Sequence, residues 1–221
     1  MCDNKKNREL KVEKWERVKG SLHLIVMKYD LNKKALSNVP HVPFLDLAFC
    51  VYVTKRDCAE FEISMIVQYS HMEDWGVDLQ ELFRAARDNT YHMENIFVDS
   101  INNVIQSTGD ICQLTDNDEG PSMLIISNKR KFHGASMIGN TDLLLTLAER
   151  LDSDFYILPS SVHELIVIPS TLVEGVAYLQ DIVWLINRTE IKAEEYLSDE
   201  VYFFDRGSRS VTVTQSSEEA L

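Results

Sequence analysis

The stretch from Asp154 to Pro169 constrains the fold most, because two apolar runs rich in β-branched and aromatic residues flank a Pro-Ser-Ser bend. Short runs of this kind on either side of a turn predict a β-hairpin. Each run is apolar at nearly every position, which is typical of strands that are covered on both faces. We therefore expect a buried hairpin whose bend carries a dense group of polar side chains.

A second pair of strands is predicted between Phe44 and Tyr69. The segment Phe44–Val53 is almost continuously apolar, which again indicates a strand with both faces covered. After a Lys-Arg-Asp-Cys turn, apolar and polar residues alternate over Glu60–Tyr69. A period of two places one face on the core and the other in water. We expect an antiparallel hairpin with its first strand central in the sheet.

Amphipathic helices are interspersed with these strands. Asp78 and Glu81 form a carboxylate version of a capping box at the start of a helix that runs to about Asn89. The strongest helical period lies between Leu172 and Asn187. Asp30–Val39 is predicted to be a short helix or a turn. Further helices are predicted over Lys5–Lys19, Glu94–Gln106, Asp142–Leu151 (capped by Thr141) and Ala193–Leu197, and further strands over Leu22–Met27, Ser122–Ser127, Ala135–Ile138 and Val201–Phe204.

This order of elements predicts the α+β class, a mostly antiparallel sheet with amphipathic helices packed on it. The chain of 221 residues is long enough for one well-buried core. We expect an amino-terminal charged helix over residues 1–20, a single α+β domain over residues 21–206 and a flexible tail over residues 207–221. Thr108–Pro121 is predicted to be an acidic surface loop.

The charge balance restricts the partners. There are 22 Lys and Arg against 35 Asp and Glu, a formal charge of −13. Such a surface repels phosphate backbones and anionic membranes, so we expect neither nucleic acid nor membrane as a partner. No apolar run approaches the roughly 18 residues that span a bilayer. The charged amino terminus lacks the apolar core of a secretory signal, and four scattered cysteines suggest no disulfide framework, so we expect a cytoplasmic protein.

The bend of the first hairpin is the leading candidate site, with Ser160, Ser161, His163 and Glu164. Residues two apart in an extended segment share a face, so Ser161 and His163 could act as nucleophile and base. No glycine-flanked serine motif or oxyanion hole accompanies them. His163 and Glu164 are neighbours on a strand and point to opposite faces, which argues against a shared metal ion. The alternative is a turn in which serine hydroxyls satisfy backbone groups.

Two other places carry polar residues of interest. Asp46, a candidate binding residue, lies in an apolar run, so we expect it to be paired with a backbone amide, a His or an Arg. The alternative is that Asp46 lies near the solvent end of its strand and needs no partner. His71 and Trp75 lie in a segment predicted to be a loop between a strand and a helix, where His71 could contribute to binding and Trp75 would anchor the loop to the core. The spacing matches no defined metal site, and we predict neither metal nor cofactor. The basic run Lys129–Lys131 lacks a phosphate-binding motif.

Three functions follow as hypotheses. The first is a non-enzymatic interaction or regulatory module that binds another protein, since no catalytic set is recognisable. A partner with a basic face would complement the charge of −13. The alternative is a small-molecule-binding protein or a hydrolase that uses the Ser160–Glu164 bend. A weaker alternative is an inhibitor or immunity-type protein that mimics nucleic-acid charge.

Seven short segments follow one another along the chain: Phe44–Ala48, His71–Asp78, Ala85–Thr90, Ser127–Lys129, Phe132–Ala135, Pro159–Glu164 and Leu197–Tyr202. Taken in this order, they resemble a bacterial family that is described only as a domain of unknown function and is common in anaerobic gut Firmicutes. The resemblance runs from about Trp15 to Arg206, and it implies a bacterial cytoplasmic protein without an established activity, cofactor or catalytic residue. It also implies that relatives have a further amino-terminal region and a longer acidic insertion.

Overall fold

The protein folds into two antiparallel sheets with helices packed on them. The computed structural model describes residues 14–56, 62–100 and 123–214. The α+β class is confirmed. The first sheet has four strands: β1 (Leu22–Lys28), β2 (His41–Phe44), β3 (Leu47–Arg56) and β4 (Glu62–Ile66). Strand β3 is central, with β1 along one edge and β2 and β4 sharing the other.

The second sheet has six strands: β5 (Ile96–Ser100), β6 (Leu124–Asn128), β7 (Phe155–Leu158), β8 (Leu165–Pro169), β9 (Tyr202–Asp205) and β10 (Ser210–Val213). Their order across the sheet is β10-β9-β7-β8-β6-β5. The predicted hairpin over Asp154–Pro169 is confirmed as β7 and β8, which pair from Phe155 opposite Pro169 to Leu158 opposite Ile166.

The helices lie between and outside the sheets. The α-helices are α1 (Trp15–Val18), α2 (Tyr29–Leu36), α3 (Tyr69–Trp75), α4 (Leu79–Thr90), α5 (Thr141–Leu151) and α6 (Val176–Thr189). Short 3-10 helices cover Lys19–Ser21, Met93–Asn95, Gly134–Gly139 and Ser170–Leu172. Asp78 caps α4 as predicted, because its carboxylate accepts a hydrogen bond from the backbone N–H of Glu81 at 2.8 Å.

Burial on both faces explains the apolar runs that the sequence shows. In β3, Leu47 and Val51 face the main core, whereas Cys50 faces a second cluster under α2. In the β7–β8 hairpin, Phe155 and Val167 face the main core, and the alternate residues face a third cluster under α6. The main core joins the two sheets through α4, α5 and the buried 3-10 helix at Gly134–Gly139.

Several local predictions are wrong, and tertiary contacts explain each difference. The predicted strand Phe44–Val53 is interrupted at Leu45, which has a φ of 55°, so Asp46 lies in the turn between β2 and β3. The predicted helix Glu94–Gln106 is strand β5 over residues 96–100, because Ile96, Phe97 and Val98 pair with β6. The remainder of that helix, residues 101–106, and the loop Thr108–Pro121 lie outside the described residues.

Two other segments differ because their backbones bond to distant parts of the chain. Residues 135–138 are not a strand but part of the Gly134–Gly139 helix, where Met137 and Ile138 are buried in the core. Ala193–Leu197 is not helical, since the carbonyl of Glu195 accepts a hydrogen bond from the N–H of Val162 at 2.9 Å.

The remaining differences concern the ends of elements. Asn140 rather than Thr141 caps α5, with its side chain accepting from the N–H of Leu143 at 3.2 Å. Helix α6 begins at Val176, and Leu172 lies in a 3-10 turn before it. Part of the predicted tail over residues 207–221 is strand β10, which pairs with β9 along its whole length. Residues 1–13 and 215–221 lie outside the described residues.

Candidate functional site

At the Pro159–Glu164 bend the polar groups bond to the backbone. The Oγ of Ser161 accepts a hydrogen bond from the backbone N–H of His163 at 3.0 Å, and Ser161 is buried. The Nδ1 of His163 accepts from the backbone N–H of His133 at 3.1 Å. The two side chains therefore do not form the nucleophile–base hydrogen bond that a hydrolase needs. Ser160 and Glu164 lie on either side of this arrangement, half-buried.

The bend packs against an aromatic cluster that the sequence did not suggest. The rings of His133 and His163 stack with their centroids 5.6 Å apart, and Phe132 lies 3.9 Å from His133. Tyr52 meets His133 edge-on at 5.1 Å. The cluster fastens the loop after β6 to both the bend and the first sheet. Phe132 and His133 are thus held by packing, whereas the basic run Lys129–Lys131 beside them is exposed.

Within this cluster the Nδ1 of His133 is buried and has no hydrogen-bond partner among the residues that the structure describes. Burial, and then the charges of His163 and Arg130, lower the pKa of His133 to about 4. Its ordinary value is 6.5. The ring is therefore neutral in the folded protein at pH 5 to 6, where an unfolded chain would bind a proton.

We expect this difference to make folding stability fall as the pH decreases from about 6.5 to about 4, with full stability above that range and no further loss from this group below it. The expected loss is about 1–2 kcal/mol, since the ring is partly solvated. His133→Asn should remove this pH dependence, because asparagine also tolerates the φ of 58° at this position. Urea unfolding of both proteins between pH 4 and 7.5 gives the free energy of unfolding at each pH. The same dependence of this free energy on pH in both proteins would contradict the prediction.

Asp46 is the centre of a second polar group, which joins the two sheets. Its carboxylate accepts hydrogen bonds from the ammonium of Lys28 and from the hydroxyls of Ser198 (2.5 Å) and Tyr202 (2.8 Å). The Lys28 ammonium also donates to Ser198 at 3.2 Å. Burial, and then the charge of Asp46, raise the pKa of Tyr202, so its hydroxyl remains a donor. These partners differ from the amide, His or Arg expected, and they satisfy the carboxylate on both oxygens.

His71 and Trp75 lie in helix α3, not in a loop. The Nδ1 of His71 accepts from the backbone N–H of Gln68 at 3.0 Å and closes a capping box. Its ring stacks on Trp75 at 5.8 Å, and Trp75 packs on Trp15 at 5.9 Å. The structure thus separates the three predicted groups, at Asp46, at the bend and in α3. In the part of the chain that the structure covers, no three His, Cys, Asp or Glu side chains are grouped to hold a metal ion.

Helix α6 presents large apolar side chains to solvent. Leu179 and Val183 pack on the third cluster, whereas on the opposite side Tyr178, Trp184 and Leu185 are 70%, 53% and 54% exposed. The guanidinium of Arg188 lies 4.3 Å from the centre of the Trp184 ring. A helix that only covers a sheet needs one apolar stripe along its length. The apolar residues outside that stripe, Tyr178, Trp184 and Leu185, are therefore the feature of the sequence that indicates this exposed face.

A groove of about 200 Å³ runs along the flank of the same helix. Ile182 and Ile186 of α6 form one wall, and Ile166 and Ile168 of β8 form the other. The Pro159–Ser160 bend lies at its edge. Of the candidate residues predicted at the Ser160–Glu164 bend, Ser160 therefore lines this groove. The lining is almost entirely apolar, which suits an inserted apolar side chain.

The segment that contains α6 and the residues after it is rich in carboxylates. Residues 174–200 contain seven Asp and Glu against one Arg and one Lys. The segment after α6 is tied to the helix, because the buried Asn187 donates to the carbonyl of Ser198 and to the carboxylate of Asp199, both at 2.8 Å. We call the exposed residues Tyr178, Trp184 and Leu185, the flanking groove and these carboxylates the α6 surface.

The comparisons with known proteins give a family. The family of unknown function DUF5688 matches residues 1–206. The chain belongs to this family. No curated protein and no solved structure matches the chain. The function of this family is not described, so the geometry of the chain's own side chains is the evidence on function. Over the ranges that the structure describes, none of its helices is long and apolar enough to cross a membrane.

Proposed function

We propose that the chain is a non-enzymatic binding module that recognises another protein through the α6 surface. The exposure of Tyr178, Trp184 and Leu185 on one helix face carries the proposal. Tyr, Trp and Arg are the residues that most often dominate the binding energy of protein interfaces. Arg188 stacks on Trp184 and also bonds to Asp199, which restrains the indole before a partner arrives.

The expected partner has an apolar side chain that enters the groove and Lys or Arg residues around it. Opposite charges support this choice, since the carboxylates of residues 174–200 outnumber the cations and the whole chain has a charge of −13. Charge complementarity of this kind increases the association rate and disfavours partners of the same sign. Binding is therefore expected to weaken as salt increases.

We also propose the bacterial cytoplasm as the location. The resemblance noted above supports a bacterial origin. The absence of closely spaced cysteine pairs in the sequence and the buried free thiol of Cys50 support a reducing compartment.

A pair of double variants tests the proposed surface. Trp184→Ala/Leu185→Ala removes two exposed side chains of α6, and Leu31→Ala/Met93→Ala removes two that are at least as exposed, at 71% and 84%, elsewhere. Both should keep the thermal stability of the parent. In quantitative affinity capture from the source cell, we expect a protein that the parent and the control retain and that the α6 variant loses at least tenfold.

The captured protein is then purified and titrated against the three chains. We expect its dissociation constant to rise at least about tenfold for the α6 variant, a change of about 1.4 kcal/mol, and to rise with salt for the parent. Equal capture by all three chains, or no protein retained above background, would count against the α6 surface.

A further inference from the structure

A second concave site lies between the first sheet, helix α4 and the start of α5. Phe44 and Phe49 of the sheet and Phe83 of α4 form its apolar walls. Its volume is about 410 Å³, within the range of small-molecule sites, which is roughly 300–1,000 Å³. None of the candidate residues predicted from the sequence lines it.

The floor of this cleft is shaped by a glycine. A Cβ at Gly139 would lie 2.6 Å from both the ring of Phe49 and the hydroxyl of Tyr91. Tyr91 is fixed from behind, since its hydroxyl donates to the carbonyl of Ser136 at 3.1 Å. Phe49 is held edge-on by Phe44, with their centroids 5.4 Å apart. The aromatic walls are thus held in place without a ligand.

Two opposite charges line the cleft without meeting. Arg87, on the last turns of α4, and Asp142, on the first turn of α5, are both exposed. Within residues 14–56, 62–100 and 123–214, neither side chain forms an ion pair or a side-chain hydrogen bond. A guanidinium and a carboxylate that face one cleft and leave each other free can each bind a group of a ligand.

We infer that this cleft binds a zwitterionic ligand with an apolar body, namely an apolar dipeptide. Its carboxylate pairs with Arg87, whose fork of N–H donors matches a carboxylate. Its ammonium pairs with Asp142. Its side chains pack on Phe44, Phe49 and Phe83, where aromatic walls contribute through burial. A dipeptide fits because it combines both charges with enough apolar surface for walls of this extent. This inference is independent of the α6 surface.

Isothermal titration with leucyl-phenylalanine tests the inference, together with its N-acetyl form, its C-terminal amide and free phenylalanine. We expect the full chain to bind the dipeptide at least tenfold more tightly than either capped form, because each cap removes one charge. Free phenylalanine, which fills less of the cleft, should bind more weakly than the dipeptide.

Variants assign each charge to its partner. Arg87→Ala should weaken dipeptide binding at least tenfold and abolish the preference for the free carboxylate, while it keeps the preference for the free amine. Asp142→Asn should do the reverse. Arg84→Ala and Glu149→Gln, on the same two helices but outside the cleft, should change neither. No binding of any form up to ~10 mM, or equal affinity for capped and uncapped forms, would overturn the inference.

Discussion

Asp46→Ala is expected to lower the free energy of unfolding by about 3–5 kcal/mol. The side chains of Lys28 and Asp46 are only 16% and 19% exposed, so the substitution leaves a largely buried ammonium without its counter-charge. It also removes the acceptor of the Ser198 and Tyr202 hydroxyls. Urea unfolding followed by circular dichroism measures the loss.

A second variant separates the effect of the unpaired Lys28 charge from the effect of replacing a residue in a turn. Lys28→Met removes the buried charge, so the double variant with Asp46→Ala should be more stable than Asp46→Ala alone. Asp30→Ala breaks an exposed ion pair with Lys33 and serves as the control, with little change expected. If Asp46→Ala costs less than about 1 kcal/mol, the network does not hold the sheets together in the way we describe.

Gly134→Ala is expected to cost at least about 3 kcal/mol, because overpacking at this position cannot relax. An added Cβ would lie 2.2 Å from the Oγ of Ser127, 2.5 Å from the carbonyl oxygen of His163 and 2.8 Å from the backbone nitrogen of Asn128. The serine side chain could rotate, but it donates to that carbonyl at 2.7 Å, and the other two atoms belong to the backbone.

Gly20→Ala provides the comparison, since a Cβ there meets no atom within 4 Å. We expect a change of less than about 1 kcal/mol for it. The difference between the two variants in thermal and urea unfolding therefore measures the effect of the steric clash at Gly134, separately from the general effect of replacing a glycine by alanine. A Gly134→Ala protein as stable as the parent would show that the loop after β6 does not press against the bend.

Local patterns in the sequence were sufficient where burial is regular. The two hairpins, over Phe44–Tyr69 and Asp154–Pro169, are confirmed in their pairing. Strands β3, β7 and β8 are covered on both faces and leave apolar runs in the sequence, whereas β4 lies in the segment that alternates. The helix after Asp78 is confirmed, because the capping residue and the apolar stripe in the sequence both indicate a helix at the same place. Strand β5 was missed because five residues are too few to show a period, and its partner follows only after residue 123.

The contacts between distant polar residues could not be predicted, and the reason is different. Asp46 meets Ser198 and Tyr202 across separations of 152 and 156 residues, so no spacing in the sequence indicates the contact. The cleft likewise combines residues from four separate segments, near positions 24, 42–49, 83–91 and 139–142. Only the α6 surface left a local trace, in Tyr178, Trp184 and Leu185 off the buried stripe. Tertiary packing, not local propensity, decides the rest.

The most direct test of the protein-binding account is photo-crosslinking in the source cells. A photo-reactive amino acid replaces Leu185 on the α6 surface in one chain and Leu31, which is exposed on α2, in another. The account predicts a discrete adduct with one protein from position 185, weakened by added Trp184→Ala, and no such adduct from position 31. The absence of an adduct at position 185, or the same adduct from both positions, would contradict it.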